Sequence, residues 1–145
     1  VAGSVSLLVF AGCGSAGVEQ GAIVTVYAGA PVCPGATREL ARSGDEAGSV
    51  RVQVHCAPAS ESRGRLDLAG IGAAVRRAVE DSRTVGYLEA PGPANRFAHP
   101  ILEEAQIALE TDRSGSRGMG RILDALDSRG SGESPREAVW AARLR

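Results

Sequence analysis

The chain reads as a small three-layer α/β sandwich, a parallel sheet of four strands in spatial order 2-1-3-4 with helices on both faces. Three observations predict it. Short β-branched runs alternate along the 145 residues with stretches whose apolar positions recur at helical spacing. The first run, Ile23-Val24-Thr25-Val26-Tyr27-Ala28, is continuous, as a strand covered on both faces must be. Repeated strand–helix units then imply parallel strands joined by right-handed crossovers.

Each element has its own reason. Gly29-Ala30-Pro31 breaks the first strand, and a short helix is expected from Ala36 to Ser43, ended by Gly44. Val50-Arg51-Val52-Gln53-Val54-His55-Cys56 alternates cleanly and is the second strand. A polar loop from Pro58 to Gly64 leads to a helix from Leu66 to about Ser82. Its Leu68, Ile71, Val75, Ala78 and Val79 share one face, opposite Arg76, Arg77, Glu80 and Asp81. Thr84-Val85-Gly86-Tyr87-Leu88 is the third strand. A helix holding Phe97, Ile101, Leu102 and Ala105 follows, interrupted early by Pro100, and Ile107-Ala108-Leu109 is a short fourth strand. Met119, Ile122, Leu123 and Leu126 form an i, i+3, i+4, i+7 stripe that stops at Gly130. Ser134-Pro135-Arg136-Glu137 reads as a capping box with Pro at the first helical position, opening a last helix with Ala138, Val139, Trp140 and Leu144 on its apolar side.

Ahead of the sheet lies Leu7-Leu8-Val9-Phe10-Ala11-Gly12-Cys13-Gly14. No polar face alternates with its apolar one, and it is far shorter than the ~20 residues of a membrane-spanning helix. An apolar stretch ending in small residues is the pattern of a secretory signal. The ending Phe10-Ala11-Gly12-Cys13 resembles the lipobox of bacterial lipoproteins, although Phe10 replaces the usual Leu and no basic residue precedes it. The resemblance implies a lipoprotein-type signal segment over 1–12, lipidation at Cys13, a flexible Gly/Ser tether over 13–21 and a folded domain over 22–145. An ordinary buried strand over Val5 to Ala11 is the competing reading.

Composition narrows the function classes. The net charge is −1, so nothing electrostatic draws the chain to nucleic acid or an anionic surface. All 16 basic residues are Arg. Aromatic content is 3%, which excludes an aromatic stacking platform for single strands. With Cys13 assigned to lipid, Cys33 and Cys56 remain, and an even remainder in an exported chain reads as one disulfide, with free buried thiols as the alternative. No metal site is expected: no CxxC or HxxxH spacing occurs, and the histidines are His55 and His99 alone.

Several patterns suggest chemistry and fail on geometry. Gly70-Ile-Gly72 begins like a dinucleotide fingerprint but falls inside a helix, where close helix–sheet packing explains it better. Glu80-Asp81 and Glu103-Glu104 are adjacent acids whose side chains diverge on a helix. His55 and Cys56 are strand neighbours that point to opposite faces. Ser114-Gly-Ser116-Arg-Gly118 lacks the spacing of a nucleophile elbow. No catalytic residue and no cofactor are assigned, and the chain is read as a non-enzyme.

The stretch Gly72 to Leu109, "GAAVRRAVEDSRTVGYLEAPGPANRFAHPILEEAQIAL", resembles the N-terminal lobe of type I periplasmic binding proteins of the branched-chain amino-acid kind, the solute receptors of ABC importers. Ala78, Glu80, Asp81, Val85, Tyr87, Gly92, Pro93, Pro100, Ile101, Glu104, Ala105 and Ile107 match the family's Ala-x-x-x-x-Asp helix end, its Val-x-Tyr-x-Gly strand and its Pro-Ile-x-x-Glu-Ala-x-Ile helix. The likeness resumes at Gly118 to Leu126 and at Ser134 to Ala142, which are similar to late helices of the same lobe. In the family a whole second lobe separates these halves; here only Glu110 to Arg117 intervenes. The resemblance therefore implies a single periplasmic-binding-protein-like lobe.

It also implies a site and a setting. Ala30, Pro31, Gly92, Pro93, Ala94 and Asn95 would line a ligand site at the strand ends, with backbone amides at a helix start receiving an anionic group. The loop Ala90 to Arg96 lacks the family's hydroxyl residues, and a helix cap is the plainer reading of Asn95. The expected partners are a small solute (an amino acid or small carboxylate), an ABC permease, and the membrane through the lipid anchor, on the extracytoplasmic side of a bacterial cell. The alternative is a cell-surface interaction module that self-associates through the face the absent lobe would cover.

Overall fold

Nine buried apolar or threonine side chains in the two strands 23–28 and 84–89 have to be covered from two sides, and the computed structural model, which describes residues 21–145, covers them with five helices. The expected signal segment, Cys13 and the tether up to residue 20 lie outside the described residues. The sheet is built from β1 (Ile23–Ala28), β2 (Glu46–Ala47), β3 (Val50–Cys56), β6 (Thr84–Glu89) and β7 (Ala108–Thr111), in the order β2-β3-β1-β6-β7. A separate two-stranded hairpin joins β4 (Glu61–Ser62) to β5 (Arg65–Leu66). The helices are α1 (Cys33–Arg42), α2 (Leu68–Glu80), α3 (Pro93–Glu104), α4 (Ser116–Asp127) and α5 (Pro135–Ala142).

Strand alternation divides the core between two faces. Val24, Val26 and Ala28 of β1 pack with Val50, Val52 and Leu88 beneath Leu40 of α1, Met119, Ile122 and Leu126 of α4, and Val139 of α5. Tyr27 and Tyr87 face the other way and meet Ile71, Val75 and Ala78 of α2 with Ala98 and Leu102 of α3. β1 and β6 are buried along nearly their whole length, which is why their sequences show no polar alternation. β3 alternates because Arg51, Gln53 and His55 lie toward an open flank.

The architecture departs from expectation in instructive ways. The sheet is mixed: β2 adds a fifth strand, antiparallel to β3. The turn Gly48-Ser49 has both residues at positive φ, 55° and 65°, as a two-residue hairpin of the favoured twist requires. The loop expected from Pro58 to Gly64 contains half of the second hairpin, whose Arg63 and Gly64 adopt the same left-handed pair, at 53° and 73°. Helix α1 begins at Cys33, three residues before the expected start, because Pro34 is compatible with a first helical turn that needs no N–H donor. Helix α2 is shorter than expected, opening with Asp67 as cap: its carboxylate accepts the Gly70 N–H at 2.9 Å. That cap, and not helix–sheet packing, accounts for Gly70, and Gly72 faces Phe97 of α3.

Pro100 does not interrupt α3, which runs through it. Arg96 and Pro100 are both exposed, so the carbonyl that loses its partner is open to water. At α5 the capping box forms in full: Glu137 N–H donates to Ser134 Oγ at 3.2 Å and Ser134 N–H donates to Glu137 Oε2 at 3.1 Å.

Candidate functional site

The order β3-β1-β6 sets where a crevice opens. The connection leaving β1 enters α1 on one face of the sheet, whereas the connection leaving β6 enters α3 on the other. Two neighbouring strands whose loops diverge leave a crevice at their carboxyl ends, the position where open α/β sheets receive ligands. Here it measures about 310 Å³ and is lined by Ala30, Pro31, Ala59, Ser60, Glu61 and the run Glu89 to Ala94. Five of the six residues singled out in the sequence therefore share one hollow: Ala30, Pro31, Gly92, Pro93 and Ala94.

Asn95 does not. It sits in a separate hollow of about 270 Å³ with Arg96, His99, Leu109 and Thr111, where its Oδ1 accepts the Thr111 hydroxyl at 3.3 Å. Nor is it the helix cap, which is Gly92, with Pro93 opening the helix. The shift follows from the backbone: Gly92, at φ 148°, turns the chain directly into Pro93, so Asn95 is already helical and its side chain swings toward β7.

The residue missed in the sequence is Glu89. It ends β6 and is 3% exposed, yet it lines the crevice. Its Oε1 accepts the Ala90 N–H at 3.0 Å, and among the described residues no basic side chain pairs with it. Burial raises its pKa above the usual carboxylate value, and the Ala90 hydrogen bond opposes this. The carboxylate lies against Gly29, where a β-carbon would come within 2.7 Å of the Glu89 carboxyl carbon. Gly29 is thus small because Glu89 crosses it. One sequence signal existed: an acid directly follows the uncharged run Val85 to Leu88, at the place where the Val-x-Tyr-x-Gly pattern has its glycine.

The loop offers few donors to an anion. Pro93, the first residue of α3, has no N–H, and Pro91, just ahead of the Gly92 cap, has none either. The crevice lining holds two carboxylates, Glu61 and Glu89, and no Arg, Lys or His.

Beside this region Cys33, first residue of α1, and Cys56, last of β3, are paired at disulfide distance with Cα atoms 5.7 Å apart, within the range a disulfide needs. Asp112 supports the start of α4, accepting the N–H groups of Gly115 at 2.7 Å and Arg117 at 3.0 Å, and Ser116 Oγ donates to the Gly35 carbonyl at 3.2 Å. Asp81 takes the Tyr27 hydroxyl at 3.1 Å, while Glu103 pairs with Arg143 at 3.1 Å. His55 turns to Tyr27 and Arg77, away from Cys56. Among the described residues no group of three or more His, Cys, Asp or Glu could hold a metal ion, and no helix is long and apolar enough to cross a membrane. Comparisons with protein-family models, curated proteins and solved structures gave no match.

Proposed function

We propose that the chain is a lipid-anchored extracytoplasmic solute-binding lobe of an ABC import system, non-enzymatic, and that it takes a small solute of amino-acid type in the strand-end crevice. The observation that carries this reading is the crevice itself: the turns after β1 and β6 diverge to opposite faces and leave a lined hollow where parallel sheets bind ligands. The resemblance of Gly72 to Leu109 to the receptor family supports the transport setting, and Phe10 to Cys13 supports the anchor.

A single lobe supplies half of a two-lobed enclosure. Ligand pockets ordinarily bury ~70–90% of a ligand's surface, and closure of a second domain is what completes that burial. Binding by this lobe is therefore weak, around millimolar, worth only ~4 kcal/mol. Calorimetry on the full chain with leucine, isoleucine, valine and small carboxylates tests this. Saturable heat at millimolar concentrations is expected. No binding by any of them, together with a concentration-dependent dimer, would move the assignment to a cell-surface interaction module.

A further inference from the structure

The crevice chemistry selects among solutes. We propose that it is a site for an organic ammonium group, with the cation on Glu89 and its apolar stem along Pro31, Ala90, Pro91 and Ala94; this rests on the solute-binding reading above. The first ground is charge. Glu89 and Glu61 line the crevice and no basic side chain does, so the field there favours a positive guest.

The second ground is the state of Glu89. A carboxylate 97% removed from solvent is ordinarily paired. Glu89 has one hydrogen bond, from its neighbour Ala90 to Oε1, and Oε2 has no partner among the described residues. The only fully enclosed side-chain atom without a partner among those residues is Arg143 Nη1. Glu89 Oε2 therefore keeps an opening to the crevice, and an ammonium donor placed there would complete its coordination with a charge-assisted hydrogen bond.

The third ground excludes rivals. An anion would look to the first amides of α3, of which Pro93 removes one, while Pro91 removes a further donor from the loop ahead of the Gly92 cap. A calcium ion takes six to eight oxygen ligands, and the two carboxylates of the crevice supply at most four. An ammonium with three N–H donors needs far fewer oxygens, and the Ala and Pro walls suit a short hydrocarbon stem.

Calorimetry on the full chain with 3-methylbutylamine, 3-methylbutanoate and leucine provides the test, because the first two carry the same stem with opposite charge. The amine is expected to bind at least tenfold more tightly than the carboxylate, and Glu89→Gln to weaken amine binding by at least tenfold. The Ala90 amide resonance of the unaltered chain should move on titration with amine and stay still with carboxylate, a readout independent of any variant. Carboxylate binding as tight as amine binding, or amine binding that survives Glu89→Gln, overturns the ammonium assignment while leaving solute binding intact. If amine, carboxylate and leucine all fail to bind, both the assignment and the solute-binding reading fall.

Discussion

A buried acid with one hydrogen bond leaves a signature in stability as well as in binding. The folded-state pKa of Glu89 lies above its ordinary value of 4.5, chiefly because burial penalises the charge. The protonated side chain is therefore the one the fold favours. Its stabilising contribution is fully present below the unfolded pKa and is lost as pH rises through the folded one. At neutral pH the ionised group costs stability, and Glu89→Gln, which keeps an acceptor for the Ala90 N–H, removes that cost. Thermal melts should show the variant more stable than the parent at neutral pH, with the advantage vanishing toward about pH 4. A variant less stable than the parent at neutral pH would mean that Glu89 is held by a partner. The sequence pointed to the strand-end glycines, alanines and prolines because a general rule of parallel sheets marks those loops. It did not expose Glu89, since a lone acid after an apolar run usually marks the point where a strand meets water. The acid at the end of the Val85 to Leu88 run was the one trace of it, and the diverging loops and the close approach to Gly29 show that this one turns inward.

Secondary elements were legible where a pattern is long and unambiguous. The stripe of Met119, Ile122, Leu123 and Leu126 and the box from Ser134 to Glu137 define α4 and α5, because four or more residues report the same period or the same cap. The two-residue strands β2 and β4 carry no period at all, and only their turns, Gly48-Ser49 and Arg63-Gly64, announce them. Helix α1 opens ahead of the expected Ala36 because Pro34 fits a first turn, and Pro100, expected to interrupt α3, lies on a wet face within it. The disulfide acts at this scale. Ala28 lies opposite Cys56 in the register of β1 and β3, and α1 begins five residues later at Cys33, so the bond ties the start of α1 back onto the edge of its own crossover. Crosslinked positions 23 apart in sequence restrict the unfolded chain, and such a bond contributes roughly 2–4 kcal/mol. Cys33→Ser is expected to lower the denaturation midpoint by that amount of stability with the slope little changed. Non-reducing mass spectrometry that finds both thiols free would remove the argument.

At the scale of the whole molecule the competing functions separate by area. A stable interface buries ~800 Å² on each partner. The exposed large apolar side chains among the described residues are Ile23, Leu68, Phe97 and Leu144, on β1, α2, α3 and the segment after α5. Leu68 and Phe97 stand near a common surface: Phe97 faces Gly72, one turn beyond Leu68 on α2. Leu68 is 51% exposed and Phe97 36%, so together they offer a small part of what a dimer needs. The free edge of the sheet gives no alternative purchase. β7 is four residues long, and its own Glu110 is engaged by Arg121 at 2.7 Å; short edges and charged residues discourage edge-to-edge pairing. Sedimentation equilibrium should therefore find a monomer at the highest concentration the protein tolerates, at both low and moderate salt. Insensitivity to salt matters because an association built on Glu110, Arg121, Glu103 and Arg143 would weaken as ions screen it. A dimer that persists in salt would require an apolar contact larger than Leu68 and Phe97 provide, and would shift the balance from a solute-binding lobe to an interaction module. A monomer is the outcome that the proposed solute-binding lobe requires, and it leaves the crevice between β1 and β6, lined by Glu89, as the place to test that proposal.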